Sequence, residues 1–260
     1  MQIYRIPVLR DNYIFVLHNQ EQNIAAVVDP ALAEPVLEKL KSLNAELVAI
    51  FNTHHHSDHI GGNSTLIKQF SKAIVYGGAE DHGRIPHQTV FLRGGDRINF
   101  GDREAEVFFV PGHTYAHIAY YFPAIAQDIE QTGELFCGDT IFGGGCGRLF
   151  EGTPAQMLAS IDQLRQLPDH TRLWCAHEYT LSNLKFALTI EPENIDLQAR
   201  WESASAIRAR GEATIPSTIG LEKRTNPFLR WDVAAVQRSM GINIPDRVFA
   251  RLRGKKDIFS

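Results

Sequence analysis

Residues 51–62, FNTHHHSDHIGG, constrain this chain more than any other stretch, because His54, His55, His56, Asp58 and His59 fall within six positions. In a helix, positions 54 and 56 would point roughly 200° apart and could not share an ion. The segment follows a predicted strand (47–52) and precedes a predicted helix (61–70), so a loop is expected. In a loop, His54 and His56 can converge on one metal while Asp58 and His59 turn toward a second. Imidazole nitrogen and carboxylate oxygen suit zinc, and also iron or manganese. The alternative is a histidine-rich surface run. Yet His-x-His-x-Asp-His arises by chance on the order of once in a thousand chains of this composition.

Two ions need about seven protein ligands if one carboxylate bridges them. The loop supplies four, and three more candidates stand at the ends of predicted strands: His113 in VPGHT, Asp139 in FCGDT and His177 in CAHEY. Each alone reads as a structural histidine or a turn aspartate; beside the cluster they complete the set. His54, His56 and His113 are assigned to one ion and Asp58, His59 and His177 to the other. Asp139 is assigned as the bridge, since its two oxygens can each hold one ion.

Strands are expected at 3–9, 13–17, 24–29, 47–52, 89–92, 105–110, 117–122, 134–139 and 172–177, from short runs rich in β-branched and aromatic residues. Helices are expected at 33–43, 61–70 and 153–167, the last with Thr153 as N-cap and Pro154 at the first helical position. From about Thr180 the pattern is helical throughout. The expected organisation is a mixed α/β domain over residues 1–177 followed by a smaller helical domain over 178–260. Strands in two groups, each closed by a helix, suggest two sheets with helices outside.

The bulk properties exclude several classes. A net charge of −4 lacks the basic footprint of general nucleic-acid binding. No run approaches 18 uninterrupted apolar residues, and no signal peptide is apparent at the start, so no membrane partner is expected. Three cysteines without metal-finger spacing fit a reducing compartment, and the cytoplasm is the simplest location. Nothing in the sequence demands more than a monomer.

These residues resemble the metallo-β-lactamase superfamily, whose signature is His-x-His-x-Asp-His followed by a later His, Asp and His. Within it the chain is similar to the glyoxalase II family, the hydroxyacylglutathione hydrolases. The likeness runs through NYIFVL, VDPA, THHHSDHIGGN, PGHT, FCGDTIF, CGRLFEGT, CAHEYT, NPFLR and a basic end. The resemblance implies a four-layered αββα sandwich with metals at one edge. It also implies hydrolysis of S-D-lactoylglutathione to D-lactate and glutathione, the second step of methylglyoxal detoxification. Carried over by motif, the glutathione moiety would be held by Arg148, Tyr179, Arg253 and Lys256. Two departures stand out: Arg148 where some members have Lys, and Phe150 where some have Tyr and its hydroxyl.

The chemistry is coherent without the family. A metal pair can share a water and lower its pKa, giving a bridging hydroxide at pH 7 that Asp58, as a ligand, would orient. One ion can stabilise the developing oxyanion. A thioester suits this equipment because its thiol, with a pKa near ~8.5, departs as thiolate without a general acid. Residues 240–260 carry five Lys and Arg against Asp246 and Asp257; setting this +3 tail aside leaves −7 on residues 1–239. A basic patch on an acidic protein can recognise an anionic ligand such as glutathione.

The glycine run 143–147 lacks the Lys-Ser/Thr of a phosphate loop and is expected to let backbone approach the substrate. Asp29 reads equally as a residue ordering the metal loop or as a turn cap. His55 is not expected to be a ligand, and His117 is expected to be a strand residue near the site. The competing functions are a glutathione persulfide dioxygenase or another hydrolase of the superfamily and, from a different class, a metal-bound binding module without catalysis.

Overall fold

The computed structural model describes residues 1–125 and 132–259. The chain divides into two compact units: 1–109 with 116–124 and 135–138, and 110–115 with 125–134 and 139–260.

In the first unit, β1 (Gln2–Val8), β2 (Asn12–Asn19) and β3 (Ile24–Val28) form an antiparallel meander. The direction of pairing then changes. The chain crosses through α1 (Glu34–Leu43) to β4 (Glu46–Phe51), which lies parallel to β3. One helical turn, α2 (Ser57–Ile60), and α3 (Asn63–Gln69) lead to β5 (Ile74–Gly78) and then β6 (Val90–Leu92), both added in parallel. Parallel neighbours require such crossovers, and the crossovers supply the helices that cover the sheet. A second sheet contains β7 (Arg97–Phe100), β8 (Arg103–Phe109), β9 (Ile118–Phe122) and β10 (Glu134–Gly138).

Every residue of β2 is buried, because the strand is covered on both faces. Ile14 and Val16 join Val27, Ile50, Val36, Leu40 and Leu66 in a core against α1 and α3. The alternate residue Phe15 meets Phe136 of the other sheet, with ring centroids 5.6 Å apart, and Phe51 meets Tyr120 at 5.3 Å. Period-two alternation thus divides one strand between a sheet–helix core and a sheet–sheet core.

The second unit starts its regular structure with a two-rung hairpin, β11 (Ile141–Phe142) and β12 (Gly145–Cys146). α4 (Pro154–Arg165) follows, with Thr153 in the capping-box arrangement: its Oγ1 accepts from Gln156 N at 3.2 Å and its N–H donates to Gln156 Oε1 at 2.9 Å. Next come β13 (Arg172–Cys175), α5 (Thr180–Ile190), α6 (Ile195–Ala209), and β14 (Ser217–Thr218), which pairs antiparallel with β13. The chain ends with α7 (Ile219–Thr225), α8 (Ala234–Met240) and α9 (Pro245–Asp257). α5 and α6 pack through Leu184, Ala187, Leu197 and Ala204, with Trp201 at the margin.

The metal-loop segment departs from the expectation of a loop. Asp58 and His59 sit on α2, a four-residue turn of helix too short for any periodic signal. His54 precedes it outside any helix and His56 is its extended N-cap, so the spacing argument against a shared helix holds for that pair. β5, β7 and β14 were not anticipated: each is five residues or fewer and takes its conformation from a neighbouring strand.

Candidate metal centre

In the first unit, β4 delivers the chain into a buried non-helical stretch in which His54 is fully inaccessible. His54 Nε2 and His56 Nδ1 face each other at 3.0 Å. Zinc–nitrogen bonds of about 2.0–2.1 Å at a tetrahedral angle would place two ligand nitrogens roughly 3.4 Å apart, so this pair is spaced for one ion. His56 is also the N-cap of α2, and the turn carries Asp58 and His59 back over the same segment.

Asp29 orders the whole segment. It follows β3 at φ +48°, and its carboxylate accepts from Thr53 N at 2.8 Å, Thr53 Oγ1 at 2.7 Å and His59 Nδ1 at 3.0 Å. An ionised carboxylate can only accept, so His59 carries its proton on Nδ1 and keeps Nε2 as a donor atom for a metal. Asn12 donates to Asp58 Oδ2 at 3.1 Å and to its carbonyl at 3.2 Å. Asn52 donates to His59 O, and Asn63 donates to Asn52 Oδ1. These asparagines carry no local signal, since their partners lie up to 46 residues away.

The two remaining histidines of this region do other things. His55 turns to the buried Asp81, Nδ1 to Oδ1 at 3.0 Å, where Arg84 Nη2 also approaches at 2.6 Å. His117 is buried one residue before β9 and stacks on His54, with centroids 4.6 Å apart and planes 20° apart.

In the second unit, His113, Asp139 and His177 come from three separate points of the sequence. Asp139 Oδ2 is 3.3 Å from His113 Nε2, and Asp139 Oδ1 is 3.4 Å from His177 Nε2. The carboxylate thus presents one oxygen to each of two histidines. His113 Nδ1 donates to the carbonyl of Arg148 at 2.8 Å, and a carbonyl has no proton to offer, so it is Nε2 that carries the lone pair a metal ligand needs. Gly147 makes this approach feasible: a Cβ there would lie 1.9 Å from Asp139 O and 3.2 Å from His113 Nδ1. Groups of His and Asp suited to a metal ion draw on the seven expected residues and, among the described residues, on no others. Both donor sets fit a divalent ion by atom type and by the partners that hold each ring.

Aromatic rings flank the second set. Tyr179 stacks on His177 at 4.8 Å with planes 3° apart, and Phe142 meets both edge-on. Phe150, 62% exposed, meets His113 edge-on at 5.2 Å.

The expected basic patch is less open than the charge count implied. Arg148 is exposed, with Nε 3.4 Å from Asp257 Oδ1. Arg253 is only 6% exposed and is committed to the protein: Nη1 donates to Cys146 O at 2.9 Å and Nε to Asp257 Oδ1 at 3.1 Å. Lys256 is half-buried, with Nζ 3.3 Å from both Ser182 O and Ser182 Oγ. Burial, and then the neighbouring Arg253 charge, lower its pKa to about 8. Composition shows charge; only packing shows how much of that charge faces outward.

Residues 9–177 match the family model for the metallo-beta-lactamase superfamily, and residues 178–259 match that for the hydroxyacylglutathione hydrolase C-terminus. The chain is 67% identical over 259 residues to the hydroxyacylglutathione hydrolase of Gloeothece citriformis (strain PCC 7424), covering 100% of both. It is 64% identical over 260 residues to that of Synechocystis sp. (strain ATCC 27184 / PCC 6803 / Kazusa), again covering 100% of both. The crystal structure of ETHE1 from Myxococcus xanthus shares the fold, with a TM-score of 0.66 at 22% identity and 100% coverage of each chain. The expected fold, mixed sheets flanked by helices with a helical C-terminal segment, is therefore the one adopted. The chain belongs to the metallo-beta-lactamase superfamily and, within it, to the hydroxyacylglutathione hydrolase family.

Proposed function

We propose that this protein hydrolyses the thioester of S-D-lactoylglutathione to D-lactate and glutathione, using two divalent ions, assigned as zinc. His54, His56 and His113 would hold one ion, Asp58, His59 and His177 the other, and Asp139 both. The observation that carries the reading is the Asp139 carboxylate, with one oxygen toward His113 and the other toward His177. The substrate follows from relatives named for hydroxyacylglutathione hydrolysis.

When bound, such a metal pair lowers the pKa of a shared water toward neutrality and polarises the acyl carbonyl. The protein's own task is placement. Asp29 and the Arg148 carbonyl fix the tautomers of His59 and His113, and Asn12 fixes the Asp58 carboxylate. No side chain needs to protonate the leaving group, because a thiolate departs unaided. Residues 178–260 form the substrate-binding domain in this reading. Arg148 and Lys256 offer positive charge to the glutathione carboxylates, Tyr179 offers a hydroxyl and a ring, and Arg253 supports the backbone beside them. The reading assigns a cytoplasmic monomer. No helix among the described residues is long and apolar enough to cross a membrane.

The test is release of free thiol from S-D-lactoylglutathione by purified protein, beside a metal-stripped sample. Release that stops on stripping and returns with added zinc is the expected result. No release from metal-replete protein would discard the substrate, and oxidation of glutathione persulfide would be assayed next.

A further inference from the structure

The glycine run that failed as a phosphate loop has a different use, set by the helices that follow it. In the hairpin of β11 and β12, Gly144 adopts φ +69° and aims its N–H at Glu222 Oε2, 2.9 Å away on α7. Asn226, at the end of α7, donates through Nδ2 to two hairpin carbonyls, Gly145 O at 2.9 Å and Phe142 O at 3.3 Å, and to Glu222 Oε2 at 3.0 Å. Asn183 of α5 donates to Gly143 O at 3.1 Å. Polar backbone this deeply buried needs partners, and the helices supply them.

Glu222 is itself fully buried, and its other oxygen accepts from Arg200 Nη2 at 2.5 Å and from Ser217 Oγ. A buried ion pair adds little net stability over a well-packed apolar replacement. Here it fixes the direction of a carboxylate that reaches the hairpin. Two residues beyond the hairpin, the carbonyl of Arg148 receives the His113 Nδ1 proton at 2.8 Å. The loop also returns to the His113 backbone, where Phe150 N donates to His113 O at 3.1 Å.

We propose that Glu222 and Asn226 are positioning residues for the metal centre. They hold the hairpin so that the Arg148 carbonyl locks the tautomer and orientation of His113. The C-terminal helices then govern metal retention as well as substrate binding. This rests on the reading of His113 as a metal ligand.

The experiment compares wild type, Asn226→Asp, His113→Ala and the double variant, measuring metal content and the affinity of each equivalent by chelator competition. Asn226→Asp keeps an oxygen to accept from Phe228 N, as Asn226 Oδ1 does at 3.0 Å, but loses the donor toward both carbonyls. The expected result is one metal equivalent weakened roughly tenfold or more, the effect typical of a partner that orients a ligand. In the His113→Ala background the same change should add little, because the coupling passes through His113. Wild-type affinity for both equivalents in Asn226→Asp overturns the proposal, as does an equal weakening with His113 absent. Should Asn226→Asp lose its thermal unfolding transition, Asn183→Ala takes its place, removing one bond to the hairpin; it should weaken the same equivalent to a smaller degree, and no change would overturn the proposal. Two metals retained at wild-type affinity in His113→Ala would instead sink the ligand reading itself.

Discussion

The two donor sets reach similar chemistry by opposite routes. In the first unit, four candidate ligands lie within six residues, and a side chain, Asp29, orders them with three accepted hydrogen bonds. In the second, three candidates lie 26 to 64 residues apart in sequence, and His113 is oriented by a backbone carbonyl. Local clustering leaves only the ring orientations to be fixed. Dispersed ligands need the backbone itself held, which gives the hairpin at 141–146 its dense set of partners. A side-chain orienter is open to a conservative substitution, whereas a carbonyl can be moved only by moving its chain.

The largest effect should come from Asp139→Ala, because the residue faces both histidines of its set. Metal analysis should show loss at both positions, and thiol release should fall by more than the roughly hundredfold seen when an outer partner is lost. Retention of both ions would remove Asp139 as a bridge. Next come the two orienters. Asp29→Asn should weaken metal binding roughly ten- to hundredfold and cost about 1–3 kcal/mol of stability through unsatisfied buried groups. Gly147→Ala should weaken metal binding by displacing the Arg148 carbonyl, since its Cβ has no room beside Asp139 O. If Gly147→Ala binds metal normally while Asp29→Asn does not, the carbonyl is not orienting His113.

Smaller effects should separate the basic residues. Lys256→Ala should raise KM about tenfold for the glutathione thioester, with kcat and the KM for a neutral thioester little changed. Arg253→Ala should also lower Tm, because the carbonyl of Cys146 and the carboxylate of Asp257 lose a buried partner. Lys256 is cationic below its pKa of about 8, so kcat/KM for the anionic substrate should decline as pH rises through that value. Lys256→Arg should flatten that decline; an unchanged profile would exclude Lys256 as its cause. Smallest of all, Thr153→Ala removes the cap of α4. It should cost about 1 kcal/mol in thermal unfolding with metal content unchanged.

The elements legible in the sequence are those whose signals are local. α4 was readable to within two residues because its cap, its first-turn proline and its apolar spacing lie together. The same holds for α1 and for β2 through β4. β14 is two residues long and exists because β13 lies beside it, so no pattern of its own announces it. Asp29 was ambiguous between turn cap and organiser, since the groups that decide the matter, Thr53 and His59, lie 24 and 30 residues away. Arg253 counts by composition toward the basic tail, yet it is buried and donates across 107 residues to Cys146 O.

The sequence alone determined which residues offer metal-donor chemistry, for residue type fixes that chemistry and the 54–59 spacing is itself improbable without a shared purpose. It could not determine which nitrogen of each ring is offered. That choice belongs to the tertiary structure, because a tautomer is set by whatever accepts the other proton. For His59 and His113 the acceptors are Asp29 and the carbonyl of Arg148, 30 and 35 residues distant, and only folding brings them within reach.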